Sequence, residues 1–161
     1  MDVLSRCRPV LLVFLRHAGC TFCREAAADL ARQREEIERA GAVIVVAHMS
    51  ETEAGRRFLA NYDLEDVHQI SDPTCCLYKA FGLRRGNLWM LFGPKVWVRG
   101  FEAGILNGHG VGRLAGDGFQ MPGVFMIFHG QVLRTYRHQS AADRPDYVRF
   151  ISEDAFTGMI S

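Results

Sequence analysis

Residues 9–48 constrain this chain most. Pro-Val-Leu-Leu-Val-Phe-Leu at 9–15 is an unbroken apolar run of strand length. A strand with one wet face alternates in polarity. A continuous run fits a strand buried on both faces, as in a parallel sheet. Ala-Val-Ile-Val-Val-Ala-His at 42–48 is a second such run. Between them Phe22, Ala26, Leu30 and Ile37 fall near one helical face, while Glu35 and Arg39 form an i,i+4 pair on another. Gly41 supplies the stop. The pattern predicts a helix over about 21–40 and a β-α-β unit with a right-handed crossover.

The rest extends that unit. Ser50 and Glu53 form an S-x-x-E capping pattern, which predicts a helix to about Asn61. Strands are predicted near 66–70, 124–128 and 131–137, and a short helix over 74–81 ending at Gly82. His129-Gly130 reads as the turn of an antiparallel hairpin. Asp143 is the expected cap of a last helix, with Pro145 in its first turn. The fold class is α/β, with a central mixed sheet flanked by helices.

At 161 residues the chain is expected to form one domain over 1–161. Nineteen basic and 18 acidic residues leave a net charge of +1, so no basic field marks a nucleic-acid partner. No apolar run approaches the ~20 residues of a membrane span. The first twenty residues have the outline of a secretory signal. Cleavage there would remove the strand at 9–15, so the expected compartment is the cytoplasm. The cysteines at 7, 20, 23, 75 and 76 then read as reduced thiols.

Cys20 and Cys23 follow the first strand directly and should open the first long helix. A spacing of three puts both sulfurs on one face. The positive end of the helix favours thiolate, the reactive form. A first thiolate can attack and a second thiol can resolve the mixed disulfide. Arg16, His17 and Arg24 add positive character. Strand, C-x-x-C, then helix is the setting of a thioredoxin-like redox motif. Two other readings stand beside it. Zinc would need a second pair of ligands, from Cys75-Cys76 or scattered histidines. Core filling would need only small apolar side chains.

"FLRHAGCTFCREAAADL" (14–30) resembles the thioredoxin-like superfamily, and more closely its peroxiredoxin-like branch: the alkyl hydroperoxide reductase/thiol-specific antioxidant group with its selenoprotein-L-like members. "DPTCCLYKAFGLRRG" (72–86), "GDGFQMPGVFMIFHGQVLRTYRHQ" (116–139) and "SAADRPDY" (140–147) look like later segments of that group. The resemblance implies a thioredoxin-like fold and a cis bond at Met121-Pro122 packed against the cysteine pair. It also implies that Cys20 is the nucleophile and Cys23 the resolving thiol, with no metal or organic cofactor. Electrons would come from a thiol donor such as thioredoxin or glutathione, and the substrate would be a peroxide or a disulfide. Apart from the resemblance, Arg84-Arg85 reads either as a solvated pair or as a pair that steadies a thiolate or an anionic substrate. Peroxiredoxins proper carry P-x-x-x-T/S-x-x-C. Here Val13 and His17 precede Cys20 in those places, and Arg16 and Cys20 precede Cys23. The peroxide-binding hydroxyl is therefore missing, which implies slower peroxide reduction. The rival from another class is a non-enzymatic redox sensor or binding module.

Residues 84–116 read as an insert. Ten of the 16 glycines lie between Gly86 and Gly123, and both tryptophans fall there. Trp97, Phe101 and Ile105 recur at i, i+4, i+8 behind Pro94. Packing against protein, in a homodimer or as a cap over the active site, is favoured over an interfacial membrane helix.

Overall fold

A computed structural model describes residues 2–16, 20–86, 119–139, 143 and 145–152. The elements, in chain order, are α1 (Asp2–Cys7), β1 (Val10–Phe14), α2 (Thr21–Arg39), β2 (Val43–His48) and α3 (Thr52–Ala60). They continue with β3 (His68–Ser71), α4 (Cys76–Ala80), β4 (Gly123–Phe128), β5 (Gln131–Arg137) and α5 (Tyr147–Ser152). The sheet order is β3-β2-β1-β4-β5. β1 pairs parallel with β2 and antiparallel with β4, and β2 pairs parallel with β3. The sheet is mixed, as the sequence predicts.

β1 is the central strand, and all five of its residues are 0–1% exposed. That burial explains why it reads as an unbroken apolar run. Leu11 and Val13 face a core built with Ala27, Leu30 and Ile37 of α2, Leu59 of α3 and Ile151 of α5. Val10, Leu12 and Phe14 face a second core with Phe125, Tyr78 of α4 and Leu4 of α1. Helices thus cover both faces. The helix α1 carries no signal in the sequence, because its six residues are too few to show a helical period.

Local rules account for the ends. Gly41 has φ +87, and Gly41 N–H and Ala42 N–H donate to the carbonyls of Glu38 and Ile37. These two bonds form a Schellman stop. His129 and Gly130 both have positive φ, which suits a two-residue hairpin turn.

Two expected caps are not made. The N-cap of α3 is Glu51, with no side-chain cap bond. Ser50 stays with the sheet instead, its carbonyl accepting from Ser71 Oγ at 2.8 Å and contacting His48 Nδ1 at 3.0 Å. Asp143 does not start α5. Its carboxylate accepts from Tyr136 Oη at 2.5 Å and Gln139 N–H at 3.0 Å. Asp146 caps instead, accepting Arg149 N–H at 3.1 Å.

Residues 87–116 of the insert, with their aromatic stripe, lie outside the described residues, as does His17. Among the described residues no helix is long and apolar enough to cross a membrane.

Candidate active site

β1 ends at Phe14, but its pairing does not. Leu15 N–H donates to Ala47 O at 2.8 Å, and Met49 N–H donates to Arg16 O at 3.3 Å. These bonds hold the Arg16 main chain at the carboxyl edge of the sheet. Tyr78, buried below, donates its hydroxyl to Leu15 O. The Arg16 side chain is only 6% exposed.

Cys20 is the N-cap of α2, with an extended backbone and no side-chain cap bond. Its carbonyl accepts the N–H groups of Cys23 at 3.0 Å and Arg24 at 3.1 Å, closing the first turn. Cys23 lies one turn inside. Both sulfurs meet Arg16. The guanidinium Nη2 donates to Cys20 Sγ at 2.8 Å, and the backbone N–H of the same residue donates to Cys23 Sγ at 3.2 Å.

The environment separates the two thiols. A hydrogen bond from Cys23 draws the Cys20 thiol down to about 6, and the Arg16 charge adds to it against the opposing effect of burial. Burial pushes the Cys23 thiol well above its ordinary range, and the neighbouring Cys20 pushes it further. At neutral pH the arrangement is a thiolate at Cys20 beside a protonated Cys23. Such a pair can attack with one sulfur and hold the other in reserve.

A narrow pocket beside Cys23 is lined by Arg16, Phe22, Pro122, His138 and Asp143, among others. Pro122 therefore sits next to the cysteine pair as the resemblance implies, but its peptide bond does not have the implied form. Among the described residues no peptide bond is cis, so Met121–Pro122 is trans. Met121 N–H donates to Arg84 O at 3.1 Å, and Arg85 and Gln120 form an antiparallel bridge. The segment is thus held extended as it runs into β4, which is the conformation a residue before proline prefers.

Arg84 lies apart from the cysteine pocket, on a separate groove that shares Pro122 and His138 with it. Cys75 is buried in the core on the opposite face of the sheet from Cys20 and Cys23. Its Sγ donates to Met49 Sδ at 3.2 Å. Cys7 and Cys76 are exposed. Among the described residues no three metal-ligating side chains gather.

His138 is the neighbour that sequence reasoning missed. It is 9% exposed, and neither ring nitrogen has a hydrogen-bond partner among the described residues. Burial lowers its pKa to about 4, so the ring is neutral at pH 7. The signal was present in the period of two along "QVLRTYRH": Arg134, Tyr136 and His138 share the inner face of β5 and its extension.

The AhpC/TSA family model matches residues 2–135. Peroxiredoxin-like 2A of Xenopus tropicalis is 26% identical over 141 residues, covering 83% of this chain and 58% of that protein. The chain thus spans less than two thirds of that relative. The solved peroxidoxin BcpB from Mycobacterium tuberculosis matches with a TM-score of 0.60 at 20% identity, over 91% of this chain and 77% of that one. Reduced Prx3 from Vibrio vulnificus matches with a TM-score of 0.65 at 13% identity, over 93% and 84%. These two similarities concern the fold. A thioredoxin-like sheet covered on both faces and a family match over most of its length lead to one assignment: the chain belongs to the AhpC/TSA family.

Proposed function

We propose that the chain is a dithiol redox enzyme that reduces peroxides or disulfides, with Cys20 as the nucleophile and Cys23 as the resolving thiol. One observation carries the reading: Arg16 contacts both sulfurs, while their surroundings drive Cys20 toward thiolate and Cys23 toward thiol. Arg16 steadies the attacking sulfur. Pro122 walls the pocket beside Cys23. His17 would add charge from the approach to the helix.

With a disulfide RSSR, the Cys20 thiolate attacks one sulfur, forms Cys20–S–S–R and releases RS⁻. Cys23 then gives up its proton and attacks the Cys20 sulfur. The Cys20–Cys23 disulfide forms and the second RS⁻ leaves, so RSSR gains two electrons. With a hydroperoxide, Cys20 takes the terminal oxygen and becomes a sulfenic acid, releasing the alcohol. Cys23 condenses with it and expels water. One dithiol such as thioredoxin, or two molecules of a monothiol such as glutathione, restores the Cys20–Cys23 dithiol and is itself oxidised to a disulfide. No step calls for a metal or an organic cofactor.

No serine or threonine stands three residues before Cys20, so disulfide exchange should outpace peroxide reduction. The test is turnover of the purified chain on hydrogen peroxide, an organic hydroperoxide and an insulin-type disulfide, each with a thiol donor. Sustained turnover that requires Cys20 supports the reading. A single oxidation that then stops would make the chain a redox sensor.

A further inference from the structure

A groove of about 1160 Å³ opens on the far side of Pro122 and His138 from the cysteine pocket. It lies at the same edge of the sheet as Cys20, where β1, β3 and β5 end and β4 begins. Ligands of open α/β sheets collect at that edge. The volume suits a small organic molecule.

Its walls carry one sign of charge. Lys79, Arg84, Arg85 and Arg137 line it, and no carboxylate does among the described residues. Asp72 precedes the wall, but its carboxylate is turned into α4. There it accepts the N–H groups of Cys76 at 3.0 Å and Leu77 at 2.7 Å. The frame around the cations is held in place. Arg137 donates to Phe81 O at 3.2 Å and stacks over Phe125 at 5.6 Å. Arg85 stacks over Phe119 at 5.9 Å. Gln120, buried behind them, donates to Leu83 O at 3.0 Å.

Like charges gathered on a concave wall repel one another and focus a positive field into the space between them. An anion relieves that repulsion. Guanidinium groups match a carboxylate in shape as well as charge.

We propose that this groove seats the carboxylate of a small substrate whose reducible bond, a disulfide or a hydroperoxide, is turned toward Cys20. The proposal rests on the dithiol reading above and names its substrate class. Lys79, Arg84 and Arg137 hold the anionic end, and His138 and Pro122 form the partition between the anchor and the reacting sulfurs.

The test pairs an anionic with a neutral substrate in each chemical class. One pair is 3,3′-dithiodipropionate with bis(2-hydroxyethyl) disulfide. The other is linoleic acid hydroperoxide with its methyl ester. The readout is the rate constant for Cys20 oxidation in the natural chain, in Lys79→Gln/Arg84→Gln, and in the charge-keeping Arg84→Lys. The natural chain should prefer the anion by tenfold or more in at least one pair. The double variant should lose that preference, and Arg84→Lys should retain most of it. The pair that shows the preference identifies whether the carboxylate comes with a disulfide or a hydroperoxide. Inert 3,3′-thiodipropionate, titrated by calorimetry, should bind the natural chain at least tenfold tighter than the double variant. Equal rates within both pairs, or equal thiodipropionate affinity in the two proteins, would overturn the proposal. If none of the four substrates oxidises Cys20, the dithiol reading fails, and thiodipropionate binding still decides whether the groove takes carboxylates.

Discussion

The guanidinium of Arg16 lies 2.8 Å from Cys20 Sγ in a buried setting, so a full positive charge touches the sulfur directly. Arg16→Gln keeps a planar donor and removes the charge. The midpoint for alkylation of Cys20, expected at about 6, should then rise by roughly 1–3 pH units. Arg16→Lys should recover part of the shift. Iodoacetamide rates against pH measure it. An unmoved midpoint would leave Cys23, through its thiol and its backbone N–H, as the source of the lowered value.

Cys23 makes the larger contribution to that lowering, through its hydrogen bond. Cys23→Ala should therefore raise the Cys20 midpoint more than Cys23→Ser, which keeps a hydroxyl donor. Cys23→Ser should also trap Cys20 as a mixed disulfide or sulfenic acid, and Cys20→Ser should abolish turnover. Mass mapping of the oxidised natural chain should find Cys20 joined to Cys23. A bond from Cys20 to Cys75 or Cys76 would reassign the resolving thiol.

Stability should fall with acid in a window set by His138. Its folded pKa of about 4 lies below the ordinary 6.5. Above 6.5 neither state takes up this proton. Between 6.5 and 4 the unfolded chain binds it and the folded chain does not, so the folded state loses ground as the pH falls. The loss is on the order of 3 kcal/mol and levels off below 4. Urea midpoints at pH 7 and pH 4.5 should differ less in His138→Phe than in the natural chain.

Gly55 lies inside α3, where alanine ordinarily stabilises by about 0.5–1 kcal/mol. Here an added methyl would overlap the His48 ring. That ring is held between Ser50 O at 3.0 Å and Gln69 Oε1 at 3.1 Å. Gly55→Ala should therefore destabilise by about 1–3 kcal/mol. Chemical denaturation would show it, and an increase in stability would mean the ring moves freely.

The parts legible from sequence are those with a strong period. The runs at 9–15 and 42–48 are buried on both faces and pair side by side, and the Cys20–Cys23 spacing sits where a strand meets a helix. The misses share a different cause: they depend on partners distant in the chain. The local pattern predicts Ser50 as a helix cap, but Ser50 stays with the sheet, its carbonyl bonded to Ser71 and against His48. It predicts the same for Asp143, whose carboxylate Tyr136 holds instead. At Met121–Pro122 likeness to other sequences implies a cis bond, while the structure has the trans form that X-Pro bonds ordinarily take. Arg84 is expected either as a solvated residue or as a partner of a thiolate or an anion, and only tertiary structure puts it on the groove across the Pro122–His138 wall.

Arg16 meets the two sulfurs by different routes, with its side chain on Cys20 and its main-chain N–H on Cys23. Mutation has unequal access to these routes. Nineteen residue types would still present an N–H at position 16, and proline alone would not. Selection can therefore retune the attacking sulfur by exchanging one side chain, while the hold on its reserve partner is inherited unchanged with the path of the backbone.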